Sequence, residues 1–232
     1  MTDYDPAPLL LPGLHGTDAL WRRFTARWAG PVKTLSYRPD PEATLEEYAD
    51  QVEGIFLGTD QRPAGVDLIA ESFSGPVALA VVARRRIHVR RVVLVASFAA
   101  VPHPWLVRAV ARMPHALVSL AMGSRLGVVR FLANGVGHAD LIDDVLAAVR
   151  GIPPAVVASR LRVLANLPDP GTRITCPVLA VQADNDRLIP ESALAALHQA
   201  CADLRVVRLA GPHLLLQASP AACVDAIRAF LA

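Results

Sequence analysis

The chain predicts an α/β fold: one mostly parallel sheet of about six strands with helices on both faces. Three observations point there. Short apolar runs alternate along the 232 residues with stretches of helical periodicity. Val92-Val93-Leu94-Val95-Ala96 is continuously apolar and mostly β-branched, which suits a central parallel strand covered on both faces. The Pro12–Thr17 loop, Ser72, Asp184/Asp186 and His213 each follow a predicted strand, and such sheets bind ligands outside the carboxyl ends of their strands.

Composition narrows the class. Hydrophobic residues make up 53%, enough for a substantial core, and the net charge of +2 argues for no nucleic-acid role. One domain over 1–232 is expected, with a helical insertion at about 98–170. Asp3 and Asp5 stand where a signal peptide carries basic residues, and no apolar run approaches the ~20 residues of a membrane span. A cytoplasmic protein with no membrane span is the expectation. Cys176, Cys201 and Cys223 are odd in number and widely spaced, which predicts reduced thiols rather than a disulfide framework or metal site.

In chain order, Leu9-Leu10-Leu11 is a strand running into the Gly- and Pro-punctuated Pro12–Thr17 loop. Trp21, Phe24 and Trp28 share one helical face and predict core packing. Val32–Tyr37 reads as a strand. Thr44 precedes Glu47 by three, a capping box opening a helix whose stripe runs Leu45, Tyr48, Ala49, Val52, Ile55, Phe56 to a stop at Gly58. Leu68-Ile69-Ala70 ends a buried strand, and a helix starts around Gly75-Pro76, where a missing N–H costs least. That helix ends in Arg84-Arg85-Arg86, with Arg90 and Arg91 behind. Cations at a helix carboxyl end complement its dipole, and a docking patch for an acidic acyl carrier is the sharper alternative.

From Ser97 to about Pro170 the rhythm breaks into helices interrupted by Pro and Gly, with no convincing strand. This stretch predicts a lid over the sheet's end. Its Trp105, Leu106, Met113, Leu117, Leu120, Met122 and Phe131 either line an apolar pocket or form the lid's own core; Trp105, Met113 and Leu117 are the candidates for substrate contact. Strands then return at Pro177–Val181 and Leu204–Leu209, around a helix over Glu191–Ala202. Ser219 is expected to cap a last helix with Pro220 in its first turn and Val224, Ile227, Phe230 and Leu231 inward.

The chemistry centres on Ala70-Glu71-Ser72-Phe73-Ser74, a small–x–Ser–x–small pattern between strand and helix. A sharp strand-to-helix turn presents a serine hydroxyl, and it demands small neighbours because side chains two positions away would meet backbone. Ser74 is the other nucleophile candidate, but it would put Pro76 where a small residue is needed.

Ser72, Asp186 and His213 follow the order Ser…Asp…His of the α/β-hydrolase superfamily, and the chain resembles its small bacterial esterase- and lipase-like members over nearly its whole length. LLLPGLHGT is similar to the family's oxyanion loop, AESFSG to its nucleophile elbow, PVLAVQADNDRLIP to its acid segment and LAGPHLLLQASP to its histidine loop. Ala70 and Ser74 stand in for glycines, Pro12 stands where many relatives have histidine, and the family's N-terminal antiparallel strands are missing or reduced. Glu71, beside the serine, leaves two readings open: hydrogen bonds to nearby loops, or a charge that raises the basicity of the Ser–His pair.

The resemblance implies roles that the chemistry supports. A serine hydroxyl needs a base to take its proton, imidazole titrates near neutrality, and a carboxylate holds the ring's other N–H. His213 is the base and Asp186 the acid, with Asp184 the alternative. By resemblance the oxyanion donors are the backbone N–H groups of Leu14 and Phe73, and His15 in the same loop is a substrate-contact candidate. The expected reaction is hydrolysis of a small-molecule carboxylic ester with an apolar acyl group, through an acyl-serine intermediate and without metal or organic cofactor. Thioester or lactone hydrolysis by the same triad, and a non-catalytic binding member of the superfamily, are the alternatives.

Overall fold

A computed structural model describes residues 7–58, 64–133, 139–168 and 173–232; the N-terminal 1–6 read above lie outside them. β1 (Leu9–Leu11), β2 (Lys33–Thr34), β3 (Val66–Glu71), β4 (Val89–Val95), β5 (Val178–Ala183) and β6 (Leu204–Leu209) form one sheet in the order β2-β1-β3-β4-β5-β6. Every pairing is parallel, so all strands end at one edge.

The period of two along each strand sorts the core into two layers. Leu9, Leu11, Leu68, Ala70, Val92, Leu94, Val178 and Ala180 face α2 (Leu45–Leu57), α3 (Ser74–Arg84) and α9 (Ala193–Ala200). Leu10, Ile69, Val93, Val95, Leu179 and Val181 face α1 (Arg22–Thr25), α10 (Leu215–Ala218) and α11 (Pro220–Leu231). Thr44 and Glu47 complete the capping box of α2, each side chain bonding the other's backbone N–H. All three cysteines are free.

Between β4 and β5 the chain forms α4 (Pro104–Ala111), α5 (His115–Met122), α6 (Arg125–Gly127), a π-turn at Val128–Leu132, α7 (Ala139–Arg150) and α8 (Pro154–Ala165). Among the described residues of 98–170 there is no strand; 134–138 and 169–170 lie outside them. α8 packs on α4 and α5, around Val118, Ile152, Val156 and Val157. No helix among the described residues is long and apolar enough to cross a membrane.

Four local expectations are corrected. The strand expected over Val32–Tyr37 shrinks to exposed Lys33–Thr34 at the sheet edge. Beyond it Ser36 Oγ bonds Asp18, and the Tyr37 N–H turns to the Gly16 carbonyl at 2.8 Å, so the chain leaves the sheet for the Pro12–Thr17 loop. The aromatic helix is only a 3₁₀ turn plus α1, with the Thr25 hydroxyl bonded back to the Trp21 and Arg22 carbonyls; Trp21 and Phe24 are nonetheless buried, and Trp28 stacks on Phe24. Ser219 does not cap α11 through its side chain; its hydroxyl donates to the Ala210 carbonyl at 3.0 Å. The arginine cluster is not simply a solvated helix end. Arg84 and Arg86 approach buried Glu53 at 3.2 and 3.0 Å, and Arg90 and Arg91 pair with buried Asp67. Asp67 and Arg90 lie at the starts of their strands, so that pairing sits at the opposite edge of the sheet from Ser72.

Candidate active site

The site is built where the parallel strands end. β3 stops at Glu71, α3 begins at Ser74, and Ser72 between them has φ 47°. A serine in that region is uncommon and costs on the order of 1–3 kcal/mol. Its neighbours hold it there: its N–H donates to the Val95 carbonyl at 3.0 Å, and its carbonyl accepts from Gly75 N–H at 3.1 Å and Ser97 Oγ at 2.6 Å. The strict steric demand falls on Gly75. A Cβ there would lie 1.9 Å from Ser97 Oγ, whereas the second position after the serine accommodates Ser74.

His213 follows β6 and Asp186 follows β5. His213 Nε2 lies 3.0 Å from Ser72 Oγ, and its Nδ1 lies 2.8 Å from Asp186 Oδ2. An Nδ1–H donated to the carboxylate leaves Nε2 as acceptor for the serine proton. Asp186 is itself anchored, its Oδ1 accepting from Leu188 N–H at 2.8 Å and Ile189 N–H at 2.9 Å. Asp184 is exposed and plays no part in this chain of bonds. Ser74 Oγ is wholly buried and bonded to Tyr37 and to the Pro12 carbonyl, so it is not free to meet a substrate.

The Pro12–Thr17 loop lies against the same end of β3. Among the described residues, the N–H groups of Leu14 and Phe73 have no protein acceptor. Glu71 is buried; its Oε2 accepts from Gly13 N–H at 3.3 Å and its Oε1 from Gln217 Nε2 at 2.8 Å. Of the two readings open for Glu71, bonds to the neighbouring loops are therefore present. His15 is buried beside Glu71, and burial pushes its imidazole below the ordinary 6.5.

Trp105, Met113 and Leu117 sit on or beside α4 and α5 and are 70, 42 and 50% exposed, so none belongs to a core of that segment. A cleft of about 290 Å³ is lined in part by Gln182, Asp184, Asp186, Glu191 and Arg208, without Ser72 or His213 in its wall. No group of three His, Cys, Asp or Glu side chains among the described residues is placed to share a metal ion. Arg160 carried no signal in the sequence. It is 1% exposed on α8 and donates to the Leu14 carbonyl at 2.8 Å. Gln217 and Tyr37 were equally silent, since their roles depend on partners far away in the chain.

Comparison with known proteins agrees with this architecture. A family model described as serine aminopeptidase, S33, matches residues 43–211. No curated protein matches the sequence. A hydrolase from Pseudomonas aeruginosa superposes with a TM-score of 0.78 at 16% identity, over 97% of this chain and 90% of that one. A thermophilic esterase from Thermogutta terrifontis gives 0.76 at 21% identity, over 97% and 89%. An enol-lactonase from Burkholderia xenovorans gives 0.75 at 21% identity, over 97% and 92%. At such identities these solved structures speak to the fold.

Proposed function

Because this chain belongs to the serine aminopeptidase S33 family of α/β-hydrolase-fold hydrolases, we propose that it cleaves a carboxylic ester through an acyl-serine intermediate. The observation that carries the reading is the unbroken Ser72–His213–Asp186 chain of hydrogen bonds. Ser72 Oγ attacks the ester carbonyl while His213 Nε2 takes its proton. The carbonyl oxygen becomes an oxyanion held by the N–H groups of Leu14 and Phe73, a donor of this kind being worth roughly 3 kcal/mol. Collapse expels the alcohol, protonated by His213. Water, deprotonated by the same imidazole, then attacks the acyl-serine and releases the acid. Asp186 stabilises the imidazolium in both halves.

An ester is favoured over a peptide amino terminus because the two buried carboxylates at the site are committed. Glu71 serves Gly13 and Gln217, and Asp186 serves His213, Leu188 and Ile189. Both side chains are also buried, so neither is presented to a substrate ammonium. The helices over 98–170 are read as a cover for the strand ends, with their exposed apolar side chains available to an acyl chain.

The test is hydrolysis of p-nitrophenyl acetate, butyrate and octanoate, with alanine p-nitroanilide as the aminopeptidase arm, by wild type and Ser72→Ala. Wild type is expected to hydrolyse the esters and to be labelled by a fluorophosphonate. Ser72→Ala should keep its melting temperature, lose labelling and fall by at least ~10³ in kcat. Undiminished turnover in Ser72→Ala, or a wild-type protein that neither labels nor hydrolyses, overturns the proposal. Faster cleavage of the anilide than of any ester overturns the substrate class.

A further inference from the structure

We infer that Glu71 and Arg160 are positioning residues that aim the Leu14 N–H as an oxyanion donor, an inference that rests on the acyl-serine reading above. Peptide groups are planar, so fixing one end of a peptide fixes the direction of the other. Three consecutive peptides around Leu14 are held in this way. The Pro12–Gly13 peptide gives its N–H to Glu71 Oε2 at 3.3 Å, and its carbonyl accepts from Ser74 Oγ. The Gly13–Leu14 peptide, which carries the donor, has its carbonyl bonded by Gly16 N–H at 2.9 Å. The Leu14–His15 peptide has its carbonyl bonded by Arg160 Nη1 at 2.8 Å. The middle peptide cannot rotate without breaking a bond to one of its flanking anchors.

Both anchors are charged and almost wholly buried, Glu71 at 5% exposure and Arg160 at 1%. Burying a charge is costly unless its bonds are satisfied. Arg160 is satisfied by the Leu14 carbonyl, by the Tyr48 hydroxyl at 3.2 Å and by the face of the Tyr48 ring. Gly16, with φ 73°, makes room for it: a Cβ there would lie 2.2 Å from Arg160 Nη1. Glu71 spends its second oxygen on Gln217 Nε2, four residues beyond His213. One carboxylate, adjacent in sequence to the nucleophile, therefore ties the donor loop to the segment that carries the base. Arg160 ties the same loop to α8, so the donor is held from the sheet on one side and from the helical segment on the other.

A residue that only supports folding would change the melting temperature; one that aims an oxyanion donor changes kcat at constant KM. Glu71→Leu keeps most of the volume and removes both acceptor oxygens, so the Gly13 N–H loses its anchor. Arg160→Met keeps the stem and removes the donor, while Arg160→Lys keeps a donor able to reach a carbonyl. The experiment measures kcat and KM on p-nitrophenyl butyrate, the rate of fluorophosphonate labelling, and thermal melting for these three variants and for Gln217→Ala.

Removing an oxyanion donor outright costs ~10²–10³ in kcat, and a misaimed donor retains part of that. Glu71→Leu and Arg160→Met are expected to lose about tenfold or more in kcat with KM within about twofold, labelling falling in parallel, and Arg160→Lys to recover part of the loss. If Glu71→Leu or Arg160→Met melts below the assay temperature, Gln217→Ala and Arg160→Lys carry the same comparison with smaller losses. An unchanged kcat in the folded variants, or a rise in KM alone, overturns the inference. A wild-type protein that neither labels nor hydrolyses overturns the proposed function and this inference with it, which separates the two failures.

Discussion

Replacing Ser74 separates the two serines of the elbow and tests a buried hydrogen-bond chain at the same time. Ser74 Oγ has one proton, and the Pro12 carbonyl can only accept, so that proton goes to Pro12. The Tyr37 hydroxyl, 2.7 Å away, must then be the donor to Ser74 Oγ. Burial pushes the Tyr37 phenol above its ordinary value, so it keeps its proton. Ser74→Ala leaves both the Tyr37 hydroxyl and the Pro12 carbonyl without partners inside the protein, a cost of about 2–3 kcal/mol. Tyr37→Phe leaves Ser74 still bonded to Pro12 and costs about 1 kcal/mol. In the Ser74→Ala background Tyr37→Phe removes an already orphaned hydroxyl, so its further cost is about zero. For a chain of this size each kcal/mol lowers the melting temperature by about 2–4 °C, so Ser74→Ala should melt roughly 4–12 °C below wild type. Denaturant titration of wild type, both single variants and the double variant reads the coupling. Ester hydrolysis well below the transition reads the chemistry, and Ser74→Ala should keep it within about tenfold. Additive losses would refute the hydrogen-bond chain. A folded Ser74→Ala with no hydrolysis, beside an active Ser72→Ala, would refute the choice of nucleophile.

Two more outcomes follow from single side chains. His15 has its imidazole pushed below 6.5 by burial, so between that depressed value and 6.5 the unfolded chain binds a proton that the folded one does not. Stability therefore falls as the pH drops through 6.5, and His15→Gln should flatten the melting temperature between about pH 7.5 and 5.5; an equal slope in both proteins refutes the assignment. Gly75→Ala should cost about 3 kcal/mol, from a Cβ driven into Ser97 and the loss of the Ser97 bond to the Ser72 carbonyl. Gly54→Ala, in mid-α2 with nothing within 4 Å, should instead gain up to about 1 kcal/mol. Equal melting temperatures for the two variants would contradict the packing at the elbow.

What the sequence makes legible is local. A continuous Val run, a capping box, and a serine on a strand-to-helix turn each place their cause and their consequence within a few residues, and β1, β3, β4, β5 and β6 are found where they are expected. The Ser, Asp and His positions are also legible, because each follows a strand whose ending can be read and all parallel strands end at the same edge. What stays hidden depends on partners at long range. Val32–Tyr37 has the composition of a strand, but it lies at the sheet edge, and the Tyr37 N–H goes to the Gly16 carbonyl instead of a ladder. Trp105, Met113 and Leu117 are apolar, and apolarity alone does not say which side of a helix meets solvent. Arg160 stands in an unremarkable SRLRVL run, and its burial makes sense only against Leu14, 146 residues earlier in the chain. The three side chains of the relay can therefore be read from their own neighbourhoods. The groups that aim the oxyanion donor cannot, because the donor peptide is held through the peptides on either side of it, and the Gly13 N–H and Leu14 carbonyl there find their partners on β3 and α8.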